Sequence, residues 1–306
     1  MLSAVDLGLI YGLMALGVYL TFRVLDFADL TVDGSFTTGG AVAATLIVSG
    51  QSPLLATIAG GISGAGAGAI TGLLNTRGKI NPLLSGILTQ IALYSINLRI
   101  MGKANVPLLR ARTWMTPLRE AGLFGTWVSV SIFAMFIFVF AFALIWFLNT
   151  DTGLAMQATG DNEGMARAQG ISTDSMKVLG LSLSNALVAL AGALMAQYQG
   201  YADIGMGLGL IIAGLASVII GQAIFGMRPI WVAVFAAVAG SIMYRFIIQL
   251  ALMAGFNPND MKLISALLVI FALIVPKWSV FRNLRTRRRQ RQSAKSTEEV
   301  SVGVTL

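Results

Sequence analysis

The chain reads as an all-α polytopic membrane protein of about nine transmembrane helices, and three observations predict it. Of its 306 residues 56% are hydrophobic and only 11% charged, with a mean hydropathy of +0.80. One soluble core cannot hide that much apolar surface, so hydrocarbon is the expected solvent. Apolar stretches of crossing length also recur along the chain, separated by short polar or Pro/Gly-marked joints. Finally, basic residues gather in the joints and in the tail. Arg282, Arg285, Arg287, Arg288, Arg289, Arg291 and Lys295 directly follow the last apolar stretch, which places the C-terminus in the cytosol by the positive-inside rule.

Taken in order, the predicted spans are 4–23, 34–49, 53–75, 81–101, 126–148, 176–199, 205–225, 229–253 and 262–276. The first carries Asp6 and no basic flank, so it reads as a retained helix, not a cleaved leader. The second and the last are short enough to be tilted, broken or partly spanning. In the third, Gly60, Gly61, Ser63, Gly64, Gly66, Gly68 and Gly72 recur at a spacing that lets helices approach closely; packing and a pore-lining role are both open. An odd number of crossings counts back from a cytosolic tail to an external N-terminus. Arg23, Arg77 with Lys79, Arg167 with Lys177, and Arg228 then lie inside, and Lys103, Arg110, Arg112, Arg119 and Lys262 outside. Residues 1–277 form one transmembrane domain, and 278–306 a basic, disordered cytosolic tail drawn to anionic lipid.

Composition also excludes function classes. Without cysteine or histidine, thiolate chemistry, disulfides, most transition-metal sites and the usual near-neutral proton shuttle are gone, and no catalytic residue or metal ligand is assigned. The chain contains no Gly-x-x-x-x-Gly-Lys-Ser/Thr run, and Gly60 to Gly72 has no lysine, so it is not expected to bind ATP or any other cofactor itself. A net charge of +8 suggests nucleic acid, but the basic residues are not interleaved with aromatics on a soluble face. An intramembrane enzyme lacks a nucleophile and base pair. An autonomous ion-coupled secondary transporter is kept as the alternative function, although it needs a titratable intramembrane site and carboxylates away from helix ends are scarce.

Two joints are long. Residues 102–125, with Trp114, Pro107 and Pro117, and Trp127 at the border, read either as an external connector with an interfacial aromatic belt or as a docking surface. Residues 149–175 read as a short Ala-rich helix opened by Asp161 or Asn162, with Glu163 near its positive end and Gly170 as a left-handed C-cap, before a new start at Ser172-Thr173-Asp174. Two Asp-led glycine-rich segments open spans in corresponding places of the two halves: Asp33-Gly34-Ser35-Phe36 with Gly39 and Gly40, and Asp203 with Gly205 and Gly207. If the halves are inverted repeats, these are discontinuous helices whose N-termini the aspartates cap beside a central route; otherwise they are ordinary caps at the membrane surface. Asp26, Asp29 and Asp33 beside Arg23 form either a charged interfacial joint or an inward-dipping gate. Arg245, between Tyr244 and Phe246, is either a pathway residue or a cation snorkelling to the outer interface.

The loop carrying Gly153, Ala155, Ala158, Gly160, Asp161, Asn162, Ala166, Gly170 and Ile171 resembles that of the branched-chain amino-acid permease family of ATP-binding-cassette (ABC) importers, whose relatives carry sugars and nucleosides. Gly12 to Gly17, the Asp33 to Ala41 segment, the Asn81-Pro82 entry, Ala191-Gly192-Ala193 with Gly200, and Gly221 to Arg228 look like further landmarks of it, so the likeness covers most of residues 10 to 277. Leu154 and Gln157 stand where the family usually has Arg, which marks a divergent branch, one associated with binding lipoproteins for aromatic amino acids. The resemblance implies the ABC importer permease fold in a bacterial cytoplasmic membrane and import of a small organic solute, an amino acid foremost, by alternating access. It implies cytosolic ATPase subunits coupling at Gly153, Gly160, Asp161, Asn162, Glu163, Ala166, Arg167, Gly170 and Ile171. It further implies an extracytoplasmic solute-binding protein and a second permease copy. From the paired Asp-led segments, the Asn81-Pro82 entry and the intramembrane cation, the candidate pathway residues are Asp33, Gly34, Ser35, Gly39, Gly40, Asn81, Pro82, Asp203, Gly205, Gly207 and Arg245.

Overall fold

The computed structural model describes residues 2–226, 229–257 and 263–270. Its elements are α1 (Leu2–Tyr19, continued by a π turn Leu20–Val24), α2 (Thr31–Val48), α3 (Pro53–Thr76), α4 (Pro82–Met101), β1 (Asn105–Pro107), α5 (Thr116–Glu120), α6 (Trp127–Leu148), α7 (Asp151–Asp161), α8 (Glu163–Ala168), α9 (Thr173–Gln199), β2 (Tyr201–Asp203), α10 (Leu210–Phe225) and α11 (Ile230–Met253). Residues 263–270 are helical again. Arg228, Lys262, the end of the predicted 262–276 span and the basic tail 278–306 lie outside the described residues.

Six helices among the described residues, α1, α3, α4, α6, α9 and α11, are long and apolar enough to cross a membrane. Two more predicted spans are present but differ in kind. The seventh starts at Leu210, not at 205, and the 16 residues of α10 reach only about 24 Å, short of a hydrocarbon core of about 30 Å. The second, α2, is built largely from Gly, Ala, Thr and Ser and is buried along most of its length, facing protein.

Local chemistry sets the boundaries. Ser52 and Asn81 each precede a Pro at the first helical position and accept the amides of Leu55 and Leu83, at 3.3 and 3.0 Å, opening α3 and α4. Gly102 and Gly200, at φ of +66° and +82°, close α4 and α9 in the left-handed conformation.

At the centre, α1 is buried along almost its whole length and packs on α11, α9, α6 and α10. Ser184 and Ser241 donate to the Gly17 and Gly8 carbonyls, each at 2.7 Å, pinning α9 and α11 to α1. Asp6 accepts the Gly125 amide and the Ser129 hydroxyl, at 3.1 and 2.8 Å, and fixes the start of α6. On the other side of α9, α2 and α3 pack through small residues. A Cβ on Gly39 would collide with the Ala189 backbone, one on Gly192 with the Phe36 carbonyl, and ones on Gly64 and Gly68 with Asn185 and Leu181 backbone. Close helix packing therefore accounts for most of the glycine run of α3, while Gly66 faces open space.

The outward surface is apolar. On α6, Trp127, Met135, Phe138, Phe142 and Trp146 are all exposed, as are Ile62 on α3 and Ile91 on α4; a helix apolar on all sides and bare on one requires a non-aqueous surrounding. At one end of the bundle β1 and β2 form an antiparallel ribbon, pairing Asn105 with Asp203, Val106 with Ala202 and Pro107 with Tyr201. Arg119 of α5 donates to the Gln197 and Tyr198 carbonyls there, at 3.4 and 3.1 Å. At the opposite end α7 and α8 form a helical knuckle, so the 149–175 joint holds two short helices where one was predicted.

The packing makes a direct prediction. Gly39→Val should lower the unfolding free energy in detergent by about 1–3 kcal/mol, whereas Gly66→Ala should leave it unchanged or raise it by up to about 1 kcal/mol. Equal thermal melts for Gly39→Val and wild type would contradict the α2–α9 crossing.

Candidate functional site

The interior contains a helix break. From the ribbon end, residues 204–209 descend between the helices and α10 begins only at Leu210. Its first amides are received by Asp33 of α2: Oδ2 accepts Gly209 N and Oδ1 accepts Ile211 N, each at 2.8 Å. Asp33 is thus a helix cap, as predicted, but for α10 and not for its own helix. Gly207 must be glycine, since a Cβ would meet the Asp33 carbonyl and the Thr37 hydroxyl.

From this junction the two helices diverge. The later residues of α2, Ala41, Ala44 and Ile47, cluster with Val106 and Ala202 of the ribbon. In contrast, Gln222 near the end of α10 accepts from Arg23 at 2.9 Å, within the π turn that ends α1. The two N-terminal turns therefore meet inside the protein and point their C-termini to opposite ends, the arrangement expected of paired discontinuous helices.

The Asp26 to Asp33 segment dips inward. Asp26 is exposed at the left-handed φ of 49°, but Asp29 and Asp33 are buried. Asp29 accepts Thr31 N at 2.8 Å and Asn185 Nδ2 at 2.6 Å. Nearby, Thr31, Thr71 and Thr89 hydroxyls chain together at 2.7 and 2.9 Å across α2, α3 and α4. The interfacial-joint reading of this segment does not hold beyond Asp26.

On the ribbon side of the junction lies a cavity of about 460 Å³. Tyr11, Phe36, Met195 and Met206 give it apolar walls, and Gln199 and Asp203 polar ones. Asp203 sits in β2 and does not open a helix: Oδ1 accepts Gly205 N at 2.8 Å and Oδ2 accepts Asn105 Nδ2 at 3.2 Å. Of the predicted pathway residues, only Asp203 and Gly205 line the cavity. Gly40 backs Met206, and Gly34 packs on Leu93 and Gln90. Ser35 is fully buried with its hydroxyl unpartnered among the described residues. Asn81 is exposed at the start of α4, so the Asn81-Pro82 entry is a helix start away from the cavity. Arg245 does not snorkel outward; its guanidinium carbon lies 3.6 Å over the Tyr11 ring centroid. The sequence reading missed Tyr11, Met195, Gln199 and Met206, for which the one available signal was a polar-tipped Tyr and a Gln inside apolar stretches.

At the opposite end, Thr150 caps α7 by accepting Gly153 N at 3.3 Å, and Asn162 caps α8 by accepting Met165 N at 2.9 Å. Asp161 ends α7 and caps nothing, and Gly170, at φ +84°, reverses the chain after α8 as predicted. The knuckle is wedged into the bundle: Met156 is fully buried against Gly180 of α9, which Leu25 also touches, and Gly160 lies on the Val24 carbonyl at the end of the π turn. Glu163 accepts Lys177 Nζ at 2.7 Å and Arg167 at 2.9 Å, and Arg167 reaches Thr173 at 2.8 Å. The Lys177 hydrogen bond, aided by both cations, holds the Glu163 carboxyl below its ordinary range. Outward, Leu154 and Met165 are bare on an otherwise polar surface, 52% and 64% exposed.

Against known proteins, residues 1–274 match the family described as branched-chain amino acid transport system, permease component. A tyrosine transport system permease protein of Clostridioides difficile is 41% identical over 270 residues, covering 88% of each chain. An uncharacterized protein of Rickettsia prowazekii is 34% identical over 89% of this chain and 96% of its own. The ribose import permease RbsC of Bacillus subtilis is 32% identical over 69% of this chain and 65% of its own. No solved structure matches. With crossing helices, a broken-helix junction under a cavity and a family match over nearly its whole length, this chain belongs to the branched-chain amino-acid permease family of ABC importers.

Proposed function

We propose that the chain is the permease of an ATP-driven importer that carries an amino acid inward across a bacterial cytoplasmic membrane by alternating access. Hydrolysis takes place on separate ATPase subunits seated on α7 and α8. An extracytoplasmic binding protein delivers solute at the ribbon end, a second permease copy completes the path, and the C-terminus is cytosolic. The likeness to a tyrosine transport permease supports an amino acid as the solute.

The observation that carries this reading is the continuity between knuckle and junction. The exposed α8 is braced to α9 through Glu163, Arg167 and Lys177, and α7 bears on the Val24 carbonyl. The chain then runs through Asp29 to Asp33, which holds the broken helix closed beneath the cavity. A displaced knuckle therefore pushes on the segment that carries the junction.

Reconstitution with the ATPase and binding protein in liposomes tests it. Uptake of tyrosine should require ATP and survive ionophores; uptake by the permease alone on an ion gradient would sink the proposal and favour the secondary transporter. Two variants separate docking from transmission. Met165→Glu should weaken ATPase co-purification by roughly tenfold or more, as loss of a central apolar anchor does. Gly160→Leu should leave co-purification intact and cut uptake about 5- to 150-fold, the range of ordinary coupling energies.

A pH dependence follows from Glu163. Its carboxyl is depressed in the folded protein, so the brace stabilises the knuckle at neutral pH and loses that contribution as pH falls through the depressed value. Amide exchange of α8, corrected for intrinsic rates, should be slow above the ordinary carboxylate range, quicken progressively as pH falls from that range towards the depressed value, and level off below it. Glu163→Gln should exchange fast throughout.

A further inference from the structure

Arg245 lies within α11, and its burial is incomplete in a chemical sense. The Nε atom is buried with no hydrogen-bond partner among the described residues, and Arg245 takes no part in the ion pairs of the knuckle. What holds the guanidinium is the face of Tyr11, at 3.6 Å. Arg245 is half-buried, and a π face offsets only part of the cost of taking Nε out of water, because it satisfies no N–H donor directionally. The same ring is stacked near parallel on Phe36, with centroids 5.9 Å apart, and both rings line the cavity. Arg245 is thus one aromatic ring away from a cavity whose polar wall carries Asp203, a carboxylate with acceptor capacity beyond its two hydrogen bonds.

We infer that Arg245 is the receptor for the carboxylate of the transported solute, screened in this state by Tyr11 and uncovered when that side chain turns. The inference rests on the amino-acid importer reading and adds to it where the solute's charges are met. The carboxylate takes the N–H donors left unused and gives the guanidinium the bidentate partner its planar fork fits. Asp203, on the other wall, faces the ammonium. A cavity that would otherwise be an apolar slot then carries both poles of a zwitterion, and Tyr11 withholds the cation from smaller anions until an occupant displaces the ring.

The natural absence of cysteine makes the test clean, since Arg245→Cys introduces the sole thiol of the permease. In proteoliposomes holding the full complex, R245C should lose at least about tenfold in ATP-dependent uptake of labelled tyrosine. Treatment with aminoethyl methanethiosulfonate, which attaches an ammonium, should restore a substantial part; the sulfonatoethyl reagent, which attaches an anion, should not. Saturating tyrosine should raise the thermal melt of the solubilised wild-type permease, while tyramine, which lacks the carboxylate, should leave it unchanged, as should tyrosine on R245C. Equal uptake by R245C and wild type, failure of the ammonium to restore more than the anion, or an equal melt response of the wild-type permease to tyrosine and tyramine overturns the inference and leaves the importer reading standing. Wild-type liposomes without ATP-dependent uptake overturn the importer reading itself. Should R245C fail to reach the membrane, Arg245→Lys against Arg245→Met takes its place: an active Lys variant beside an inactive Met variant supports the inference, and equal activity of the two overturns it.

Discussion

The hydrogen bonds from the Gly209 and Ile211 amides to Asp33 are what the rest of the architecture depends on. Inside a bilayer no water is on hand to satisfy the first amides of a helix, and each left bare costs several kcal/mol. A helix that begins in the interior therefore needs a built-in acceptor. Asp33 supplies one with two oxygens, so one side chain answers for two amides and its charge is met by the positive end of the α10 dipole. Because α10 starts at Leu210, residues 204–209 cross the space between its N-terminus and the ribbon as loop, and the cavity forms there between them and Tyr11, Phe36 and Met195.

Holding that junction requires three helices to approach more closely than ordinary side chains allow. Lipid tails are as apolar as leucine, so helices in a bilayer gain little from hiding apolar faces from one another, and dispersion between closely fitted backbones takes over. Gly39, Gly64, Gly68 and Gly192 provide the fit, each with a neighbouring backbone where a Cβ would stand. Polar side chains then fix the register: Gln197 donates to Thr57 at 2.8 Å, and the threonine chain from Thr31 through Thr71 to Thr89 binds α2 to α3 and α4. The bundle is closely packed around α9 and interrupted between α2 and α10.

The helices were legible in the sequence because their determinants are local. Apolar runs bounded by Ser52-Pro53, Asn81-Pro82, Gly102 and Gly200 announce their own ends, and the structure departs from those boundaries by only a few residues in most cases. The late start of α10 was not legible, since nothing in Asp203 to Gly209 distinguishes a glycine-rich first turn from a descending loop. Asp33 could be read as a cap but not as a cap for a helix 176 residues away, because the acceptor's partner is a tertiary fact. The cavity was hardest to see: Tyr11, Met195 and Met206 look like any other residues of an apolar span until the neighbours are known. The joint of residues 149–175 was legible as helical, yet as one helix where Asn162 divides two.

That division matters to the proposed coupling. An 11-residue α7 ending at an extended Asn162 lets α8 sit across the exposed end while α7 reaches back into the bundle. Transmission through long side chains would be lossy, since rotamers can yield before helices move. Gly160 avoids this by bringing backbone against the Val24 carbonyl, a contact with no soft atom between. The yielding part is instead the π turn Leu20–Val24, whose wider hydrogen-bond ring marks a place where a helix tolerates local rearrangement. A stiff contact feeding a compliant turn, a short way ahead of the start of α2 at Thr31, concentrates displacement where Asp29 and Asp33 hang from the chain. Both the knuckle, through the π turn, and the cavity, through residues 205 and 206, bear on that junction, so one element is in contact with the two ends of the protein.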